Sequence, residues 1–160
     1  MDIEAVAAEV VLYLTFRLDR ELLALEVARV REVLDLCPIT RVPRTPEFMR
    51  GVINLRGSVI PVIDLRLKFG LLRTESSIES RIVVLELSHE GGETVVGVLT
   101  DSVHDVIEID SEHIDSTPQM GARWRTEYIR GIGRYRDQFI LLLDIDRVFS
   151  SREAATLAEA

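Results

Sequence analysis

The feature that most constrains this chain is an internal repeat. Residues 47–69 align without a gap on residues 127–149, and seven of the 23 aligned pairs are identical. A weaker match places VREVLDL at 30–36 opposite VHDVIEI at 103–109, at an offset of 73 rather than 80. Two copies are too few for a solenoid of stacked repeats. The chain is therefore predicted to build one supersecondary unit twice, as two similar lobes that share an interface.

The local patterns within each copy are typical of short strands. Runs at 11–18 and 22–30 flank a hairpin signal at Asp19-Arg20-Glu21. A later hairpin is expected with Gly57-Ser58 in its turn. Pro61 in its second strand indicates an edge strand or a bulge, because proline lacks the N–H that a sheet ladder uses. Short strands at regular spacing indicate small barrels, so the predicted class is all-β.

Helical signals are few. Thr45-Pro46-Glu47 is typical of an N-cap followed by proline at the first helical position, and it predicts a helical turn that ends near Gly51. Ser150-Ser151-Arg152-Glu153 is a capping-box pattern, which predicts a short C-terminal helix.

These elements suggest one domain over residues 12–150. Its first lobe is expected at about 12–70, its connector at 71–80 and its second lobe at about 81–150, followed by a helical tail at 151–160. The sequence leaves open whether strands are exchanged between the lobes.

Composition narrows the function. The chain has 27 acidic and 19 basic residues and a net charge of −8, which disfavours non-specific nucleic-acid binding. Its one cysteine, Cys37, cannot form an internal disulfide and is expected to be a small buried apolar residue. No apolar run reaches membrane-spanning length, and the N-terminal segment is acidic where a signal peptide is basic. We therefore expect a cytoplasmic protein without direct membrane insertion.

Candidate catalytic and metal-binding residues are few. Asp64 and Asp144 occupy equivalent positions, as in an aspartic-protease dyad, but each precedes a short amphipathic segment where aspartate caps a helical turn. The three histidines lack ligand-like spacing and are expected at the surface: His89, His104 and His113. Trp124 stands alone in a long loop, either folded back on its barrel or anchoring an interface. We expect no catalytic residue, no bound metal and no cofactor.

One tetrapeptide distinguishes the first copy. Asn54-Leu55-Arg56-Gly57 lies at the predicted hairpin end, where the second copy has Arg134-Tyr135-Arg136-Asp137. The simpler interpretation is a tight turn that uses Gly57. The functional hypothesis is that Arg56 is displayed beside Glu32. Since a partly exposed ion pair adds little stability, such a pair is better explained as orienting side chains for a partner.

The segment TPEFMRGVINLRGSVIPVIDLRLKFG, at 45–70, resembles the signature of the CheW family of bacterial chemotaxis coupling proteins, and the likeness covers about residues 12–150. The resemblance implies two five-stranded, SH3-like β-barrels around a shared apolar core. It also implies a non-enzymatic adaptor that joins the cytoplasmic tips of methyl-accepting chemoreceptors to the regulatory domain of the histidine kinase CheA. Other CheW copies are further expected partners, and recruitment to membrane-associated receptor arrays is expected.

The resemblance also implies an interaction site. The receptor tip, a helical hairpin, is expected in the groove between the lobes, where Val30 and Val103 supply an apolar trough. Gly51 and Gly57 match family glycines that shape a local turn. The residues implied to contact receptor or kinase are Val30, Glu32, Asn54, Leu55, Arg56, Gly57 and Val103.

Two other functions remain open at this point. The chain is equally compatible with coupling in a related array, such as one that controls pilus motility. From a different class, small barrels often bind nucleic acid, although the net charge of −8 and the scarcity of aromatic residues argue against it.

Overall fold

The computed structural model describes residues 10–89, 91–115 and 126–158, so the predicted role of Trp124 lies outside the described residues. The described strands are β1 Val10–Leu18, β2 Glu21–Glu26, β3 Val30–Asp35, β4 Met49–Leu55, β5 Ser58–Asp64, β6 Arg81–His89, β7 Gly92–Thr100, β8 Ser102–Asp110, β9 Ile129–Tyr135 and β10 Gln138–Leu143. The helices are α1 Leu65–Lys68, α2 Ile145–Val148 and α3 Ser151–Ala158, with 3-10 turns at Val27–Arg29, Ser111–His113 and Thr126–Tyr128. The predicted all-β class, with short helical turns and a C-terminal helix, is confirmed.

Each of the two five-stranded sheets combines strands from both copies of the repeat. Sheet I has the order β8-β1-β2-β10-β9, and sheet II has the order β3-β6-β7-β5-β4. Strands β1 to β5 of the first copy correspond in sequence to β6 to β10 of the second. Exchanging every strand for its counterpart converts the order of one sheet into the order of the other. The opening hairpin of each copy is therefore inserted into the sheet of the other copy. The lobe bounds 12–70 and 81–150 therefore describe the sequence repeat rather than the two sheets. Strands are exchanged between the lobes, a question that the sequence left open.

Parallel pairing holds each inserted hairpin. In sheet I, β2 pairs with β10 in parallel, with Leu23 opposite Leu141. In sheet II, β7 pairs with β5 in parallel, with Val98 opposite Ile63. These strands lie inside their sheets, which explains their nearly continuous apolar sequences, since strands covered on both faces lose the polar alternation of a half-exposed strand.

The apolar core has three parts. Successive side chains of a strand point to opposite faces, so a doubly covered strand supplies two clusters. On β10, Ile140 and Leu142 belong to a cluster within sheet I, whereas Leu141 and Leu143 belong to the large cluster between the sheets. Strand β6 divides its residues in the same way between the large cluster and a cluster within sheet II. The shared core is thus built by strands that also fill the two sheet interiors.

The two repeated segments fold alike. Strands β4 and β5 with α1 have the same layout as β9 and β10 with α2, at the offset of 80 seen in the sequence. Both hairpins turn through two residues with positive φ, at 51° and 89° for Arg56-Gly57 and at 49° and 64° for Arg136-Asp137. The first turn is therefore one residue earlier than predicted, because Ser58 already pairs with Leu55 in the ladder.

The predicted helical turn before Gly51 is wrong. The carbonyl of Pro46 accepts a hydrogen bond from the Met49 N–H at 3.0 Å, which closes a single turn. Strand β4 then begins at Met49, so Gly51 is a strand residue rather than a helix cap. Pairing with β5 buries Met49 and Ile53, and this tertiary gain overrides the local helical preference.

Of the two predicted settings for Pro61, the edge is wrong, whereas the β4–β5 ladder does have a bulge between Met49 and Gly51, opposite the residues that follow Pro61. Strand β5 lies between β4 and β7. Val52, opposite Pro61, exchanges both of its backbone hydrogen bonds with Thr40 instead. The parallel ladder with β7 begins only at Val62. The missing N–H of Pro61 therefore falls at a position where neither neighbouring strand needs it, which is how an interior strand tolerates a proline.

The C-terminal helix begins at the predicted capping box. The Ser150 N–H donates to Glu153 Oε1 at 2.9 Å, and the Glu153 N–H donates to Ser150 Oγ at 3.1 Å. Lys68 Nζ also contacts Glu153 Oε2 at 2.7 Å, and Leu157 joins the core between the sheets. Helix α3 is thus part of the packed structure. Within the described ranges, no helix is long and apolar enough to cross a membrane.

Replacing Ile63 by alanine should lower the free energy of unfolding by about 2–5 kcal/mol, because Ile63 is fully buried between the sheets and leaves a cavity. The matched control is Val59→Ala on the same strand, where the side chain is 58% exposed and the change should stay within about 0.5 kcal/mol. Urea denaturation measures both. Equal losses in the two variants would contradict the assigned core.

Cutting the chain between Glu75 and Ser76, both exposed, should give two fragments that fold only together. Each sheet needs strands from both fragments, so neither alone can bury its apolar faces. Circular dichroism should show a cooperative thermal transition for the equimolar mixture alone. A cooperative transition in the isolated 1–75 fragment would show that the exchanged hairpins are dispensable.

Candidate functional site

The first-copy hairpin displays Arg56 to solvent. Asn54 Oδ1 accepts a hydrogen bond from the Gly57 N–H at 2.8 Å and ties the two sides of the turn together. Leu55 is half-buried and packs on the cluster within sheet II. Arg56 therefore projects from a fixed turn, and its side chain is 73% exposed.

Arg56 forms a bidentate ion pair with Glu32, as the sequence predicted. Its Nη1 and Nη2 contact Glu32 Oε2 and Oε1 at 2.8 and 3.0 Å. Glu32 lies on β3, which is not hydrogen-bonded to β4. The two strands are the opposite edges of sheet II, and the ion pair bridges them as the sheet curls. The planar two-point contact fixes the orientation of both side chains.

The Arg56–Glu32 pair persists at neutral pH. The hydrogen bond from Arg56 holds the pKa of the Glu32 carboxyl below its ordinary value. A lowered pKa means that the pair is formed above the ordinary carboxyl pKa and is lost only as the pH falls through the lowered one. The charged pair is therefore a constant feature of this surface near pH 7.

The second copy lacks this pair. Its equivalents, Arg136 and Asp105, line a pocket of about 180 Å³. The Arg136 guanidinium lies over the Tyr135 ring at 5.1 Å, and no hydrogen bond or ion pair joins it to Asp105 in the described structure. Because the two turns share the same signs of φ, the copies differ here in side chains and not in backbone path.

Val30 and Val103 occupy equivalent places at the starts of the edge strands β3 and β8. Both are half-buried and pack against the core between the sheets. They lie on different sheets, so the predicted site residues form two groups. One is the hairpin end with Glu32, and the other is the pair of half-buried valines at the margin of the core between the sheets.

The two predicted turn-shaping glycines have different roles. Gly57 has a φ of 89°, and a Cβ there would meet no atom within 4 Å. Gly51 has a φ of 146°, and a Cβ there would lie 2.2 Å from the Thr40 carbonyl oxygen. Gly51 therefore shapes no turn. It permits a close backbone approach, whereas a Cβ at its counterpart Gly131 would lie 2.5 Å from the Ile114 side chain and 3.0 Å from the Asp115 carbonyl oxygen.

Asp64 and Asp144 do not form a catalytic dyad. The carboxylate of Asp64 is buried and accepts hydrogen bonds from Arg50 Nη1 at 3.0 Å, from the Thr74 N–H at 3.0 Å and from Thr74 Oγ1 at 2.8 Å. It also caps α1 through the Arg66 N–H at 3.1 Å. Asp144 lies on the other sheet and contacts Arg147 at 3.4 Å without capping α2 through its side chain. The capping role is confirmed for Asp64 and wrong for Asp144.

Sequence reasoning missed a second ion pair across the molecule. Arg29 contacts both carboxylate oxygens of Asp146 at 2.7 Å and donates to the Glu86 carbonyl at 2.6 Å. The Ser88 N–H also donates to Asp146, and the Arg29 hydrogen bond lowers the pKa of Asp146. Arg29 and Asp146 are 117 residues apart and neither belongs to an identical pair of the repeat, so no local signal indicates their contact.

The histidines do not converge on a metal site. His89 Nε2 lies 2.6 Å from Thr94 Oγ1, and His104 Nε2 lies 2.9 Å from Ser102 Oγ. Among the residues that the structure describes, no group of three or more histidine, cysteine or carboxylate side chains is placed to hold a metal ion.

Comparison with known proteins identifies relatives over most of the chain. Residues 12–153 match the family model of the CheW-like domain. Chemotaxis protein CheW of Klebsiella aerogenes is 36% identical over 143 residues, which cover 89% of this chain and 84% of that protein. Protein FrzA of Myxococcus xanthus is 34% identical over 122 residues, or 75% and 72% of the two chains. The crystal structure of the scaffolding protein TtCheW from Thermoanaerobacter tengcongensis matches with a TM-score of 0.78 and 33% identity, over 96% of each chain.

Alanine at the two glycines should separate their roles. Gly51→Ala should lower the free energy of unfolding by more than about 2 kcal/mol, since the added Cβ overlaps the Thr40 carbonyl. Gly57→Ala should cost only about 1 kcal/mol, the penalty of a positive φ in open space. Chemical denaturation measures both, and a larger loss for Gly57→Ala would refute this distinction.

Proposed function

The chain belongs to the CheW family, and on that premise we propose that it is a non-enzymatic adaptor that couples chemoreceptor cytoplasmic tips to the histidine kinase CheA in a chemotaxis array. Likeness to a scaffolding protein over 96% of both chains supports an adaptor. The carboxylate of Asp64 is buried and accepts its hydrogen bonds from groups within the protein, so it is unavailable to a substrate. This environment is consistent with a role without catalysis.

The observation that carries the proposal is the exposed Arg56–Glu32 pair. A pair this exposed contributes little to folding, so stability is a poor reason for it. Sheet I has no pair equivalent to Arg56–Glu32, since Arg136 does not contact Asp105 in the described structure. The fold therefore does not depend on such a pair. A fixed guanidinium at the surface is instead suited to bidentate recognition of a partner group.

The half-buried valines at the margin of the shared core suit contact with a helical receptor tip. An amphipathic helix binds in a groove through apolar contacts and a few polar anchors. Val30 and Val103 expose part of their side chains where the edge strands meet the shared core. Glu32 lies two residues after Val30 on β3, so apolar and charged contacts are adjacent on one strand. Asn54, Leu55 and Gly57 hold the hairpin that positions Arg56.

The outer hairpins suit the kinase and further copies of the adaptor. Val59 and Phe139 occupy equivalent positions of the repeat and are 58% and 65% exposed. Exposed apolar side chains on two related but different surfaces allow two distinct contacts, as a protein in an extended array needs. We place this protein in the cytoplasm and at the membrane only through its receptors.

Arg56→Ala should leave the melting temperature nearly unchanged and should weaken recruitment to receptor–CheA complexes by about tenfold, because an interfacial arginine is often a hot spot. Co-sedimentation with receptor fragments and CheA, together with kinase activity, measures this. The control is Arg20→Ala, an exposed arginine in the turn between β1 and β2 to which no partner is assigned, and it should couple normally. Normal coupling by Arg56→Ala would remove the role assigned to this residue.

Reversing the pair separates an internal brace from a recognition contact. The double variant Arg56→Glu with Glu32→Arg keeps the ion pair but changes the charge that the partner meets. We expect coupling to remain defective in a protein that melts normally. Restored coupling would mean that the pair matters only as a brace between β3 and β4.

A further inference from the structure

A pocket of about 250 Å³ lies between the loop at 41–47 and the connector that follows α1. Four arginines line it, and Glu47 is the one acidic residue in its lining. The arginines are Arg41, Arg44, Arg50 and Arg73. Neither the family likeness nor the coupling role accounts for this pocket, which lies apart from the Arg56 hairpin.

The positive charge of this pocket is not neutralised. Arg50 is paired, since its Nη1 contacts Asp64 Oδ2 at 3.0 Å and the Thr74 carbonyl at 3.2 Å. The other three arginines are exposed, and none has a carboxylate within ion-pair distance in the described parts of the chain. Three unpaired guanidiniums therefore face one cavity in a protein of net charge −8.

The second copy provides an internal comparison. A different pocket of about 460 Å³ shares two repeat positions with the first, since it contains Arg130 and Arg147, the counterparts of Arg50 and Leu67. Each of its three arginines is paired with a carboxylate. The pairs are Arg29–Asp146, Arg130–Glu26 and Arg147–Asp144. Every arginine of that pocket thus has a carboxylate partner, whereas three arginines of the first pocket have none among the described residues.

We propose that the first pocket binds a small polyanion that carries phosphate or carboxylate groups. Guanidinium groups bind both oxyanions through two parallel hydrogen bonds, and a concave site lined by one sign of charge concentrates the opposite ion. Pro43 and Pro46 restrict the loop that carries Arg44, and Arg44 itself has a φ of 62°. The loop is therefore stiffened before the ligand arrives, which lowers the entropic cost of binding.

Binding would tie the loop at 41–47 to the connector. Arg73 precedes Thr74, whose N–H and Oγ1 both donate to the buried Asp64 carboxylate. Arg50 joins the same carboxylate to the pocket wall. A bound anion therefore holds the connector, which joins the two copies of the repeat, against the loop at 41–47. The proposal does not depend on the receptor-coupling role.

Calorimetric titration of the full chain with pyrophosphate at low salt tests the site, with citrate as the carboxylate probe. Wild type should bind one equivalent of at least one probe. The double variant Arg44→Gln, Arg73→Gln should weaken that binding tenfold or more. The control Arg20→Gln, Arg134→Gln makes the same change in net charge at exposed positions outside the pocket and should stay within twofold of wild type.

The order of affinity of the two probes identifies the preferred oxyanion, and either order supports the site. Equal weakening in the pocket variant and the control would show non-specific charge attraction and overturn the proposal. Binding of an acidic peptide such as polyglutamate, with no binding of either small probe, would also overturn it in favour of a protein-docking surface. All four positions are exposed, so unchanged melting of each variant verifies that folding is intact.

Discussion

Leu23 pairs with Leu141, and Ile63 with Val98, at the two parallel junctions where a hairpin from one copy of the repeat enters the sheet of the other. All four side chains are buried in the core between the sheets. A single copy would leave one face of its apolar strands in water and would have no partner for its central strand. Hairpin exchange is therefore the constraint that makes the two copies one cooperative unit, and every surface feature depends on the rigid frame that it creates.

That frame is nearly symmetric, whereas the side chains on it are not. The hairpin turns at Arg56 and Arg136 share their backbone geometry, but only Arg56 meets a carboxylate. Duplication of one folding unit thus produces two platforms, the hairpin surfaces of the two copies, with the same backbone arrangement. Exposed residues on each platform can then diverge separately, because surface substitutions on a rigid frame perturb stability little.

The candidate site was predictable in part. Arg56 recurs as Arg136, so the Arg56–Glu32 contact was inferred from the residues around Arg56, which differ between the copies, and from the resemblance to the CheW family. The role of Gly51 could not, since it depends on the Thr40 backbone, which arrives from a loop without a regular pattern. The edge position predicted for Pro61 was wrong for a related reason. The sequence shows that a proline lacks the backbone N–H that a strand residue can donate. Only the registers of the two neighbouring strands show that no hydrogen bond needed this donor.

The sequence by itself determined the repeat, the all-β class, the hairpins and the capping box at Ser150, because each of these rests on residues close together in the chain. Only the tertiary structure decided which hairpin joins which sheet, where the edge strands meet, and which arginines lack a carboxylate. Contiguous and exchanged lobes satisfy the same local patterns and bury similar apolar residues. The choice between them lies in long-range pairing, such as that of β2 with β10, which no local periodicity encodes.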